Sequence, residues 1–136
     1  MDDVEVRDLT VEYSSGGYPV RPIDHLDLSV SSGELVLLLG ASGSGKTTLL
    51  SALAAILRPA AGTIRVGDLE VTGLRGAALT DYRRHRVGVV FQTFNLVPSL
   101  SALDNVQAPL WAAGVPARRA RARASELLDR VGLTER

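Results

Sequence analysis

The sequence contains no cysteine, which excludes a disulfide framework and every zinc or redox site built on thiolates. That is compatible with a reducing compartment without requiring one. Lysine is nearly absent as well: of 15 basic residues, Lys46 is the one lysine and the others are arginine. Aromatic residues make up 4% and the formal net charge is zero, so no strong field draws the chain to nucleic acid or to a membrane surface. The longest apolar runs, near 35–39 and 52–57, fall well short of the ~18 residues that cross a bilayer. The opening Met1-Asp2-Asp3-Val4-Glu5 is acidic and lacks the basic-then-apolar order of a signal peptide. Any membrane role must come through a partner. His25 and His85 are isolated and lack the neighbouring ligands of a metal site.

What is present centres on Gly40-Ala41-Ser42-Gly43-Ser44-Gly45-Lys46-Thr47-Thr48. Gly40, Gly45, Lys46 and Thr47 fit the phosphate-loop spacing G-x-x-x-x-G-K-[ST]. A run of buried-strand character, Leu35-Val36-Leu37-Leu38-Leu39, leads in, and a helical pattern from Lys46 to about Leu57 leads out. Glycines at 40, 43 and 45 let the backbone take positive φ and bring N–H groups close to an anion. The helix N-terminus adds donors and partial positive charge. Lys46 then reaches the outer phosphates, and the Thr47 hydroxyl is placed to ligate Mg²⁺. A compact ammonium suits a phosphate cradle better than the guanidinium used elsewhere in the chain.

The rest of the chain reads as one domain, or part of one, with neither repeats nor low-complexity tracts. Val4, Val6, Leu9, Val11 and Tyr13 alternate with polar residues as a half-buried strand, with a phase slip near Asp8. Ser14–Gly17 is a turn, and Leu26, Leu28 and Val30 alternate again, so the early strands look antiparallel. The helix after the loop puts Leu49, Leu50, Leu53 and Leu57 on one side and stops before Pro59. Residues 63–71 form a short hairpin about Gly67-Asp68, and 76–85 a helix with Leu79 and Tyr82 inward. Val87–Phe91 reads as a second parallel strand. Gln92 follows it, at the sheet edge where ligands collect; its amide oxygen could coordinate Mg²⁺ or orient water, or Gln92 could simply begin a loop. Asp104 caps a helix running to about Ala113, and Pro116 opens another bearing Ala120, Ala124, Leu127 and Val131 as its apolar stripe. Residues 71–136 hold ten basic and five acidic groups, the reverse of the first seventy. Arg118, Arg119, Arg121 and Arg123 are read as a solvated helix face, because no aromatics interleave them as a nucleic-acid surface would require. Trp111 is read as packing.

In this order of elements the chain resembles the ATP-binding domain of an ABC transporter. The resemblance rests on Leu9–Tyr13, on Asp24–Val30 followed by Gly33-Glu34, on the phosphate loop, on Gly62–Gly67, and on Val89-Val90-Phe91-Gln92 with Leu96, Pro98 and Leu103–Val106 behind it. The wording of 89–106 is most similar to the macrolide-export and lipoprotein-release branch, though Thr47-Thr48 replaces the Ser-Thr commoner there. The resemblance implies an α/β P-loop NTPase with a RecA-like core, an N-terminal antiparallel β subdomain and the start of a helical subdomain. Residues 1–92 would form the β subdomain and phosphate-loop core, and 93–136 the Q-loop and the first helices of the helical subdomain. It implies that Tyr13 stacks on adenine with Val20 beside it, that residues 40–48 hold the phosphates of ATP, and that Thr47 and Gln92 meet Mg²⁺. It implies a transmembrane permease facing the loop after Gln92, a second ATP-binding subunit packed head to tail, and a place at the cytoplasmic face of the membrane.

The 136 residues contain no L-S-G-G-Q signature and no apolar strand ending in Asp-Glu, so the chain looks like the leading part of such a domain, ending before the signature. On that reading the apolar segments at 35–39 and 87–91 stay uncovered and the polypeptide alone lacks turnover. Other classes remain open: a different phosphate-loop enzyme, a non-transport ABC ATPase serving translation or DNA repair, and a nucleotide-binding module without turnover. A guanine-specific N-K-x-D is excluded, since the single lysine already stands in the glycine loop.

Overall fold

In the computed structural model, which describes residues 2–133, the first element is a twelve-residue strand, β1 (Val4–Ser15). It turns through Gly16 and Gly17, both at positive φ, into β2 (Tyr18–Val30). Two consecutive positive-φ residues are what a two-residue hairpin turn of matching twist demands, and glycine supplies them without strain. The turn is thus shorter than Ser14–Gly17, since Ser14 pairs with Pro19 and Ser15 with Tyr18. β1 also pairs antiparallel with β3 (Ala61–Val66), which turns at Gly67-Asp68 into the short β4 (Leu69–Glu70). The four-stranded order is β2-β1-β3-β4.

The phase slip read near Asp8 is a bulge on β1, answered on β2 by a bulge near His25 and a further register shift between Ile23 and Val20. Asp8 sits at φ 49° and His25 at φ 51°, and the register shifts on either side of the Leu9–Leu26 pair. An extra residue in a strand flips every later side chain to the other face. That is why Val6 and then Leu9 and Val11 all point inward, where with Ile23 and Ile64 they form the core of the sheet. Side-chain bonds hold the bulges. The Asp8 N–H donates to Asp27 Oδ1 at 2.8 Å, and the Asp8 carboxylate meets His25 Nδ1, a contact that raises the His25 pKa above its usual value.

After the glycine loop comes α1 (Lys46–Leu53), four residues shorter than the apolar pattern suggests. Ala55 takes φ 53°, and the Ala55 and Ile56 N–H groups bond back to Ala52 and Ser51 carbonyls. This closes the helix as a Schellman motif with alanine where glycine is usual. The inward face is Leu49 and Ala52, while Leu50 is exposed. α2 (Gly76–His85) buries Tyr82 as expected, and the Tyr82 hydroxyl donates to the Leu53 carbonyl at 2.8 Å.

The two expected parallel strands are not formed. The sheet among the described residues contains only β1–β4, and Leu35, Val90 and Phe94 are 96%, 99% and 91% exposed. Apolar runs at 35–39 and 87–91 declare a need for burial. A parallel strand exists only where a neighbour completes its ladder, and neither run is paired here.

Contacts divide the chain after Arg83. The second unit holds α3 (Ala102–Ala112) and α4 (Ala117–Arg130), packed together. Its N-cap is Ser101 rather than Asp104. Ser101 Oγ accepts from the Asp104 N–H at 3.1 Å and donates to the Asp104 carboxylate at 2.6 Å, so Asp104 stands at the third helical position and fixes the capping hydroxyl. Pro116 is likewise the N-cap of α4, one residue outside it. The buried stripe of α4 is Ala120, Ala124 and Leu128; Val131 lies beyond the last turn and is exposed. The four arginines at 118–123 are exposed, as read.

Candidate functional site

Gly40, Gly43 and Gly45 all take positive φ, at 154°, 83° and 85°. At Gly45 the requirement is also spatial. A Cβ there would fall 2.4 Å from the Pro22 carbonyl oxygen, so the glycine loop lies directly against β2. Gly45 is also the N-cap of α1 and provides no side-chain cap, and no acidic residue stands in the first turn. The first N–H groups of α1 are therefore left for an anion, without a competing negative charge.

Lys46 folds back over the loop. Its ammonium donates to the carbonyls of Gly40 at 2.8 Å and Ala41 at 2.7 Å and to Ser44 Oγ at 3.1 Å. The Ser44 N–H donates to the Ala41 carbonyl at 3.3 Å. Ala41, Ser42 and Thr47 are exposed at the rim, and Thr48 is half-buried. Beside the loop lies a cavity of about 400 Å³, lined by Ile23, Asp24, Gly40, Ser44, Lys46 and Leu49 among others. Arg21 donates to Asp24 at 3.2 Å and to Glu12 at 2.8 Å, contacts that raise its pKa, with Glu12 the larger cause. The guanidinium thereby offsets a carboxylate that would repel phosphate. A second cavity, about 260 Å³, lies between the end of α1 and α2. It has no glycine in its lining, and its Arg75 and Arg83 already donate to backbone carbonyls. Without glycine it lacks the close backbone approach that a phosphate loop uses.

Tyr13 and Val20 are Cα partners across β1 and β2, with 45% and 36% of their surface exposed. Two residues further along β2, the Pro22 carbonyl meets Gly45. β2 thus carries both Val20, which pairs with the exposed Tyr13 of β1, and the wall of the glycine loop. At ~3.3 Å per residue the separation along β2 is roughly 7 Å. Gln92 lies in the second unit, exposed at a bend. The loop behind it is tied to α3 by Asn105, which accepts from the Val97 N–H at 2.8 Å and donates to the carbonyls of Val97, Leu100 and Ser101. Trp111 is half-exposed on α3. Pro22 carries no sequence signal for this role, because a backbone carbonyl acting as a wall leaves no mark on residue type, and the Arg21 contact to Asp24 depends on side-chain placement.

The ABC transporter family model matches residues 23–136. An uncharacterised ABC transporter ATP-binding protein of Mycobacterium tuberculosis is 61% identical over all 136 residues, which span 41% of that protein. The lipoprotein-releasing system ATP-binding protein LolD of Geobacter metallireducens is 45% identical over 133 residues, covering 98% of this chain and 59% of that one. Among solved structures, the dimeric post-hydrolysis state of the ATP-binding cassette MJ0796, bound to ADP and Pi, aligns with a TM-score of 0.85 at 33% identity. That alignment covers 93% of this chain and 56% of that one. The chain thus spans less than two thirds of the length of each of these proteins.

Proposed function

Because the chain belongs to the ABC transporter family, we propose that it forms the nucleotide-binding part of an ATP-hydrolysing subunit that drives a membrane transporter. The observation that carries this is the glycine loop seated on β2 with Lys46 folded over it, beside the exposed Tyr13–Val20 pair. ATP lies with its base on Tyr13 and Val20 and its phosphates on residues 40–48. The Gly43 and Gly45 turns bring backbone donors to the phosphates, and Lys46 offsets their outer charge. The Thr47 hydroxyl and the Gln92 amide oxygen are the groups that would hold Mg²⁺. That ion, when bound, neutralises charge on the phosphates. Both donors are hard oxygens at exposed positions, which fits that ion.

The kinship with a lipoprotein-releasing protein supports export as the direction of transport. A dimeric solved relative supports a head-to-tail pair of such subunits. No helix among the described residues is long and apolar enough to cross a membrane. In this reading a transmembrane permease supplies the span, with the loop after Gln92 facing it and the subunit held at the cytoplasmic face. Residues 1–92 act as the β subdomain and phosphate-loop core, and 93–136 as the Q-loop and first helices of the helical subdomain. We assign turnover to the intact protein rather than to these 136 residues alone.

The test is phosphate release from MgATP by the intact protein, with and without a transmembrane permease partner. Saturable release that the permease stimulates is the expected result; no release under either condition sinks the proposal. Tyr13→Ala is expected to weaken ATP and GTP binding alike, by the ~1–3 kcal/mol that base stacking supplies without regard to sequence. Titrations with both nucleotides check this, and an undiminished affinity for both would move the base elsewhere.

A further inference from the structure

We propose that Ser44 is a latch on Lys46, and that phosphate enters the loop by taking the place of the Ser44 hydroxyl. The proposal rests on the nucleotide reading above and adds a positioning residue to it. A lysine ammonium has three N–H donors and no acceptor. In this loop all three have partners: the Gly40 carbonyl at 2.8 Å, the Ala41 carbonyl at 2.7 Å and Ser44 Oγ at 3.1 Å. A phosphate oxygen can bond Lys46 in this position only by displacing one of these.

The three are not equally replaceable. The two carbonyls belong to the backbone and make the shorter bonds, so releasing either means shifting the loop or withdrawing the ammonium from it. Ser44 Oγ makes the longest bond and leaves by rotation about a single side-chain torsion between staggered wells. It is also confined from the other side, because a Cβ on Gly40 would lie 2.8 Å from it. Gly40 therefore leaves room for the hydroxyl to stand where it reaches Lys46, which gives that glycine a second role beside its backbone angle. The latch costs binding energy, since its bond must break before the phosphate bond forms. In return it holds the ammonium over the loop, pointing at the site where the charge is used.

The test compares the intact protein with its Ser44→Ala and Ser44→Thr variants, using ADP with Mg²⁺ as probe and stopped-flow to separate association from dissociation. Ser44→Ala is expected to raise the association rate constant about two- to tenfold, the range set by one net hydrogen bond, with dissociation little changed. Ser44→Thr keeps a hydroxyl on Cβ and is expected to restore the wild-type rate. Unchanged association in the alanine variant overturns the latch. Faster dissociation there makes Ser44 a phosphate ligand instead and overturns it too. Faster association in both variants assigns the effect to a loosened loop rather than to the hydroxyl, with the same consequence. If the wild-type protein itself shows no saturable ADP binding, the nucleotide reading fails and the latch falls with it. Saturable wild-type binding with no Ser44 effect removes the latch alone.

Discussion

Lys46→Ala in the intact protein is expected to reduce ATP turnover about 10²- to 10³-fold, the loss that follows when one preorganised group facing developing charge is removed. Two effects act together. The ammonium is the one lysine charge in the chain, and in the proposed site it balances charge on the transferred phosphoryl group. It also braces the loop, because its bonds to Gly40, Ala41 and Ser44 tie the first residue of the loop to the last. Alanine removes charge and brace at once, so both affinity and rate fall. Lys46→Arg does not rescue, since a planar fork cannot place three donors on the same three oxygens. Phosphate release is the measurement, with near-UV circular dichroism to confirm that the fold persists. A variant that keeps its fold and its rate would remove Lys46 from the site.

The largest expected effect on stability comes from Leu9→Ala, at about 2–5 kcal/mol. Leu9 is fully buried on the central strand of the sheet, opposite Leu26 and immediately after the Asp8 bulge. Truncation leaves a cavity that the surroundings fill poorly, because the paired bulges at Asp8 and His25 fix the backbone on both strands. The neighbouring Asp8–Asp27 and Asp8–His25 contacts lie on the exposed side and remain. Denaturant unfolding of the intact protein checks it. A shift in midpoint corresponding to less than ~1 kcal/mol would mean that the sheet core is not organised around this residue. Glycine loop and sheet are coupled through Gly45 and Pro22, so the variant is also expected to weaken nucleotide binding.

Legibility followed the range of the interaction. The glycine loop, the Gly16-Gly17 turn, the Gly67-Asp68 hairpin and the inward Tyr82 were readable because each depends on a few adjacent residues. The phase slip at Asp8 was readable as a break in alternation, but its partner bulge at His25 was not, because pairing joins residues 17 apart. Helix ends were misread by one to four residues where the closing residue lay outside the apolar pattern: Ala55 in the left-handed conformation, Ser101 as the N-cap, Pro116 outside the first turn.

The sequence by itself determined the make-up of the loop proposed to hold phosphate, because such a loop needs only backbone freedom, one ammonium and one hydroxyl at fixed spacing. It determined the antiparallel first sheet as well, since period-two alternation with turn residues between is a local signal. Tertiary structure alone decided that the loop rests on the Pro22 carbonyl, that Tyr13 faces Val20 on the strand which supplies that wall, and that Ser44 meets Lys46. It also decided that the apolar runs at 35–39 and 87–91 form no ladder. The reason is common to all four: hydrophobicity and residue type state what a segment needs, while a contact exists only where a second segment is present to meet it.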